Sequence, residues 1–194
     1  MARNFLFDFI APFYDLAAKP READGRLEFL RLPSHGRMFE AGGGTGRIAL
    51  GFVSFIDVVV LGDLSFNMLR RAKLKPALHV LQHRVEALPF KEQTFDRILV
   101  VDAFHHFNDQ ERAIAELLRV LKNGGRLVIE EPNIESFAVK LIAIGERMLQ
   151  MDSNILPVEK IQEMCSRWNY PVSVHVEKHT VLIMVDKEQP QQHV

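Results

Sequence analysis

The chain has 194 residues, 47% of them apolar and 25% charged, which suits a buried core and excludes a disordered tail. Lys and Arg total 24 against 25 Asp and Glu, a net charge of -1, so no polyanion-binding surface is announced and no nucleic-acid partner is expected. One cysteine, Cys165, excludes an internal disulfide framework and a thiolate zinc cluster.

Taken in chain order, the opening segment MARNFLFDFIAPFYDLAAKP places Phe5, Phe9, Phe13 and Leu16 on one helical face. A helix over residues 1–20 that packs on the core or closes a pocket is expected. Asp8 and Asp15 interrupt what would be the apolar region of a signal peptide, and the run IALGFVSFIDVVVLG is broken at Asp57, short of a bilayer span. The expectation is a cytoplasmic chain with no stable membrane insertion.

Strand-like and helix-like segments then alternate, the pattern of an α/β domain with a mostly parallel sheet. A short strand near Arg37 to Glu40 runs into AGGGTG, and a helix is predicted from Thr45 to about Phe55. Val58-Val59-Val60 reads as a buried strand ending at Gly62-Asp63, with Ser65 as N-cap of the helix FNMLRRAKL. Further strands are predicted at Leu78–Gln82, Phe95–Val101 and Arg126–Glu130. Between the last two, NDQERAIAELLRVLKNGG carries Ile114, Leu117, Leu118 and Leu121 at helical spacing, capping-box spacing at Asn108 and Glu111, and a left-handed stop at Gly124. Two more helices, about Glu135–Gln150 and Val158–Trp168, precede two alternating strands in VSVHVEKHTVLIMV. Residues 188–194 read as a frayed tail. With no internal repeat or linker, residues 21–187 make one domain.

The segment Glu40-Ala41-Gly42-Gly43-Gly44-Thr45-Gly46 is the most informative. Glycines between a strand and a helix let the backbone turn sharply and let a ligand approach the amides. Asp63 ends the next strand, where a carboxylate can accept both hydroxyls of a ribose. A dinucleotide fingerprint starting at Gly42 requires a small residue at position 47, where Arg47 stands, and the Lys-Ser/Thr pair of a P-loop is missing. Glu40 would repel a pyrophosphate and attract an ammonium group. S-adenosylmethionine has a ribose, an amino-acid cation and no phosphate, and satisfies both acids.

With FEAGGGTG, GDLSFNML, VEALPFKEQTFDRI and ELLRVLKNGGRLVIEEP in this order, the sequence resembles the class I S-adenosylmethionine-dependent methyltransferases, in the branch of the ubiquinone/menaquinone-biosynthesis C-methyltransferases. The resemblance runs from about Phe7 to Glu131. It implies a Rossmann-like, seven-stranded, mostly parallel sheet with an antiparallel C-terminal strand and helices on both faces. It also implies that IAPFYD is an entrance lid in which Tyr14 covers the cofactor. The methionyl part would lie on Glu40 and the backbone of Gly42, Gly44 and Gly46. Asp63 would take the ribose hydroxyls and Leu64 would stack on adenine. Val101 and Asp102 would flank the methionyl group and the acceptor. His83-Arg84 stand where the family usually has Gly-Asp, which leaves Glu86 or a backbone carbonyl to accept from the adenine amino group. The product would be S-adenosylhomocysteine.

His105 and His106 leave the end of the fourth predicted strand, where open α/β sheets place ligands. Either is a candidate catalytic base for a hydroxyl nucleophile; the competing reading is that they pack on the cofactor or cap the next helix. In-line methyl transfer draws much of its acceleration from alignment and desolvation, which leaves a base less to do. No metal site is expected, because His175 and His179 flank a solvated turn with no acid or cysteine cluster beside them. The walls of an acceptor pocket, residues 1–20, 104–108 and 132–157, are rich in Phe, Ile, Leu and Met, which favours a small apolar or aromatic acceptor. Three rivals stand beside that reading. One is a methyltransferase for RNA or protein, disfavoured by the neutral charge and by the lack of an Asn-Pro-Pro-aromatic motif. Another is a non-catalytic S-adenosylmethionine-binding regulator or scaffold, and the third a nicotinamide oxidoreductase.

Overall fold

A computed structural model describes residues 24–133 and 154–188. The apolar runs become β1 (Arg37–Ala41), β2 (Val58–Asp63), β3 (Leu78–Gln82), β4 (Phe95–Val101) and β5 (Leu121–Pro132), followed by β6 (Val172–Val176) and β7 (Thr180–Lys187). They form a seven-stranded sheet in the order β3-β2-β1-β4-β5-β7-β6. The first five pair in parallel; β7 runs antiparallel to β5 and to β6. This is the expected mixed sheet, with β7 inserted between β5 and the edge strand β6.

Strand alternation divides the core in two. Phe39, Ile98, Val100, Leu127, Ile129 and Ile183 join one cluster, with α3 (Gln110–Val120) and α4 (Val158–Ser166) over it. Met38, Val59, Leu61, Leu99, Val128 and Leu182 join the other, covered by α1 (Asp24–Leu30) and α2 (Phe66–Ala72). Helices on both faces bury both sides of the central strands, which is why these read as unbroken apolar runs. Cys165 lies within the first cluster, and burial pushes its thiol up to about 12, so it is an inert packing residue.

Several predicted elements differ in detail. The helix expected over Thr45–Phe55 is a series of turns with a single 3-10 segment at Ala49–Phe52. Gly46 has φ +74, which no α-helix accommodates, so the chain cannot turn helical until after it. The long helix starts at Gln110, capped by Asp109, whose carboxylate accepts from Arg112 N at 2.9 Å. Asn108 loses the cap because its own amide, with that of Asp109, donates to Glu86. That helix stops at Val120; Leu121 already pairs with Phe95, and Gly124, at φ +80, falls within an irregularity of the β4–β5 ladder. The helix predicted at Val158–Trp168 ends at Ser166, and the strand predicted at Arg126–Glu130 extends at both ends. The helices expected at 1–20 and 135–150, and the tail from 189, lie outside the described residues. Asp109→Ala should lower stability by about 1 kcal/mol, seen as a lower urea midpoint with an unchanged slope.

Candidate cofactor and active site

The carboxyl ends of β1, β2, β4 and β5 meet at one edge of the sheet. β1 pairs with β2 on one side and β4 on the other, so Glu40, Asp63 and Asp102 emerge from neighbouring strands or the turn just past them. Beyond β1, Gly42, Gly44 and Gly46 all have positive φ. At Gly42 a side chain is also excluded by space, since a Cβ would lie 2.6 Å from Ala103 Cβ. The loop is thereby pressed against the turn that follows β4. The amides of Gly42 and Gly43 donate to Gly62 O at 2.8 and 3.1 Å, which anchors it to β2 as well.

Asp63 is the organising acid of this edge. Its Oδ2 accepts from Gly44 N at 2.8 Å and its Oδ1 from Ser65 N at 2.7 Å. One carboxylate thus ties the glycine loop to the start of α2, where Ser65 Oγ accepts from Met68 N as the predicted N-cap. Leu64, between them, is half-buried, and its carbonyl accepts from Gln82.

Glu40 is 2% exposed, and its Oε2 has no hydrogen-bond partner among the described residues. Burial pushes its carboxyl up to about 8, against the opposing pull of the Ala49 amide and the Arg26 and Arg47 guanidinium groups. A Cβ on Gly43 would come within 2.9 Å of that same oxygen, so the orphaned oxygen lies against the glycine loop. A buried acceptor in this position suits a cationic group and disfavours a phosphate. The residues present therefore fit a ligand that carries an ammonium and a ribose.

Past β4, Val101 is buried and Asp102 takes φ +49, a strained value for an aspartate, while its amide donates to Glu130 O. His105 is 4% exposed and its ring lies tilted against that of His106, with centroids 4.0 Å apart. Its Nδ1 lies 2.5 Å from Glu131 Oε2, while Glu131 Oε1 accepts from the amides of Ala103 and Phe104. Sequence reasoning missed Glu131. The available signal was the acid pair in VIEEP, two carboxylates closing a strand that is otherwise apolar.

Glu86 lies along a groove of about 240 Å³ with Arg84, Ala87, Asn108, Asp109 and Arg112. Its Oε1 is engaged by the amides at the start of α3, and its Oε2 faces Arg84 Nε at 3.7 Å. His83, at the departure from the family pattern, packs against Phe39 and Phe90 over Gly62, and burial pulls its imidazole below the usual range. Tyr14 lies outside the described residues. The other predicted residues of the cofactor set, Glu40, the three glycines, Asp63, Leu64, Val101 and Asp102, come together at the one edge. No cluster of metal-ligating side chains occurs among the described residues. No helix among them is long and apolar enough to cross a membrane.

The sheet order and this edge define a class I, Rossmann-like methyltransferase fold. The family described as "Methyltransferase domain" matches residues 39–129, which span β1 to β5. The chain belongs to that family, whose methyl donor is S-adenosylmethionine. A ubiquinone/menaquinone biosynthesis C-methyltransferase of Syntrophotalea carbinolica is 37% identical over 140 residues, covering 65% of this chain and 59% of that protein. An uncharacterized protein of Methanocaldococcus jannaschii is 32% identical, covering 82% of this chain and 78% of its own length. Among solved structures, an S-adenosylmethionine-dependent methyltransferase of Thermotoga maritima superposes with a TM-score of 0.72 at 24% identity, over 96% of this chain and 93% of that one, a likeness of fold. The chain spans about half the length of several of the relatives it matches.

Proposed function

We propose that the chain transfers a methyl group from S-adenosylmethionine to a small apolar or aromatic acceptor. The observation that carries this reading is the orphaned, buried oxygen of Glu40 beside the glycine loop, one strand away from Asp63. In this reading Glu40 and the Gly42, Gly44 and Gly46 backbone hold the methionyl end. Asp63 accepts from the ribose, Leu64 packs on adenine, and Glu86 borders the adenine side. Val101 and Asp102 flank the reacting end, and Tyr14 covers the bound molecule. When bound, the cofactor supplies an electrophilic sulfonium methyl carbon. The protein's part is to orient the acceptor in line with it and to keep water out. An aromatic acceptor is supported by Phe104 and Phe107 in the turn after β4, the latter beside Gly42, and by relatives that bear the names of quinone- and hydroquinone-directed methyltransferases.

Thermal unfolding with S-adenosylhomocysteine, NAD or NADP tests the cofactor. A ligand at a hundred times its Kd stabilises the native state by about 2.7 kcal/mol. For a chain of this size that raises Tm by roughly 5–10 °C. S-adenosylhomocysteine alone should do so; a shift with NAD and none with S-adenosylhomocysteine overturns the proposal.

A further inference from the structure

The buried contact between His105 and Glu131 goes beyond what the cofactor requires. Glu131 leaves β5 on the face covered by α3 and α4 and is 2% exposed. One of its oxygens already ties β5 to the turn after β4 through the amides of Ala103 and Phe104. That tie would be complete without a histidine. The second oxygen is turned to His105 Nδ1 at 2.5 Å. The imidazole itself is nearly buried in a turn whose Asn154 N–His105 O bond and Gln110 Nε2–Phe104 O bond fix the backbone on either side. An ionised carboxylate, whose other oxygen here accepts two amides, has acceptor capacity only. In the neutral imidazole, the nitrogen facing it is then the one that carries the proton.

We infer that Glu131 is a positioning residue that holds His105 in its Nδ1–H form, so that Nε2 takes the proton from a hydroxyl-bearing aromatic acceptor. The inference rests on the methyl-transfer reading above. The acceptor O–H bond breaks and its proton passes to Nε2. An electron pair of that oxygen, or of a ring carbon conjugated with it, forms the new bond to the methyl carbon. The carbon–sulfur pair stays on sulfur, which becomes a neutral thioether. Where carbon is methylated, the ring C–H proton then returns to the oxygen. The imidazolium stays beside Glu131 until it releases its proton to water. Among the described residues, Glu131 from β5 and His106 from the same turn are titratable groups in contact with the ring.

Glu131→Gln keeps an oxygen for the two amides but presents an NH₂ to Nδ1, which drives the ring proton to Nε2 and removes the basic lone pair. Histidine-labelled protein saturated with S-adenosylhomocysteine should show by ¹⁵N NMR a neutral His105 protonated at Nδ1, and the variant the opposite tautomer. With S-adenosylmethionine and 1,4-dihydroxynaphthalene as the probe acceptor, Glu131→Gln should lower kcat by about 100-fold. KM for S-adenosylmethionine and Tm should stay unchanged. Adding Glu131→Gln to His105→Gln should cost nothing further, because the two act as one unit. A wild-type ring protonated at Nε2 sinks the inference, as does a variant with full kcat, and both leave the methyl-transfer reading standing. Cofactor binding with no transfer to the hydroxylated probe sinks the acceptor class and this inference together. Failure to bind S-adenosylhomocysteine at all sinks the functional reading and this inference with it.

Discussion

Asp63→Ala should weaken S-adenosylhomocysteine binding by about a hundredfold. Two losses add. A carboxylate accepting from ribose hydroxyls contributes about 1.5–3 kcal/mol through charge-assisted hydrogen bonds. The same substitution releases Gly44 N and Ser65 N, which both donate to Asp63, so the glycine loop is no longer held to α2. Asp63→Asn separates the two effects. It keeps one acceptor oxygen for a backbone amide while losing the charge, and it should retain most of the stability and little of the affinity. Titration calorimetry on both variants is the measurement. Unchanged affinity in Asp63→Ala would remove this residue from the ribose role and leave it a purely structural brace.

The second large effect concerns pH. Glu40 has an ordinary value of 4.5 and a folded value of about 8, raised chiefly by burial. Between those limits the folded chain holds a proton that the unfolded chain has released. Its contribution to stability is therefore fully present below about pH 4.5 and declines as pH rises to about 8, by up to ~5 kcal/mol across the window. Glu40→Gln does not titrate, so the stability difference between wild type and variant should fall across this range in the ligand-free protein. Cofactor affinity should move the other way. An ammonium placed against Glu40 favours the ionised carboxylate, so wild-type affinity should strengthen up to about pH 8, with proton release on binding. Calorimetry in two buffers of different ionisation enthalpy reads that release directly. Glu40→Gln should bind more weakly and show no such slope. An equal slope in both proteins would assign the proton to another group.

The strand Phe95–Val101 has the boundaries that its apolar pattern predicts, and β2 ends at the predicted Asp63, because burial in the middle of the sheet leaves a contiguous signal. The edge strand Leu78–Gln82 also has its predicted bounds, although only Leu78 is buried. The terminal hairpin was legible from two β-branched runs on either side of a short turn. Local pattern failed where a distant partner decides the outcome. Asn108 has the right spacing to cap α3, but Glu86, 22 residues earlier, takes its amide. The segment after Gly46 has helical composition, but the backbone angle of that glycine, needed where a Cβ would meet Leu78 Cδ1 at 2.6 Å, delays the helix. At the candidate site, the placement of Glu40 and Asp63 beside the glycine loop was legible because spacing from that loop is a local property. The contact of Glu131 was not, since it is made with His105, 26 residues away and one strand over.

The two neighbouring acids at the end of β5 point to opposite faces. Glu130 grips Arg26 of α1 with both oxygens, while Glu131 grips the turn after β4 with both of its own. A pleated strand can keep both grips only in one frame. Deleting or adding a single residue between Leu127 and Glu130 would send each acid to the other's partner side and strand both. The same change at Asn123–Gly125, where the ladder is already irregular, leaves the frame intact. Length variation is thus tolerated at the irregular start of β5 and forbidden in its regular part from Arg126 on, and a homologue with an altered strand there must also have rewritten the residues that face it on both sides.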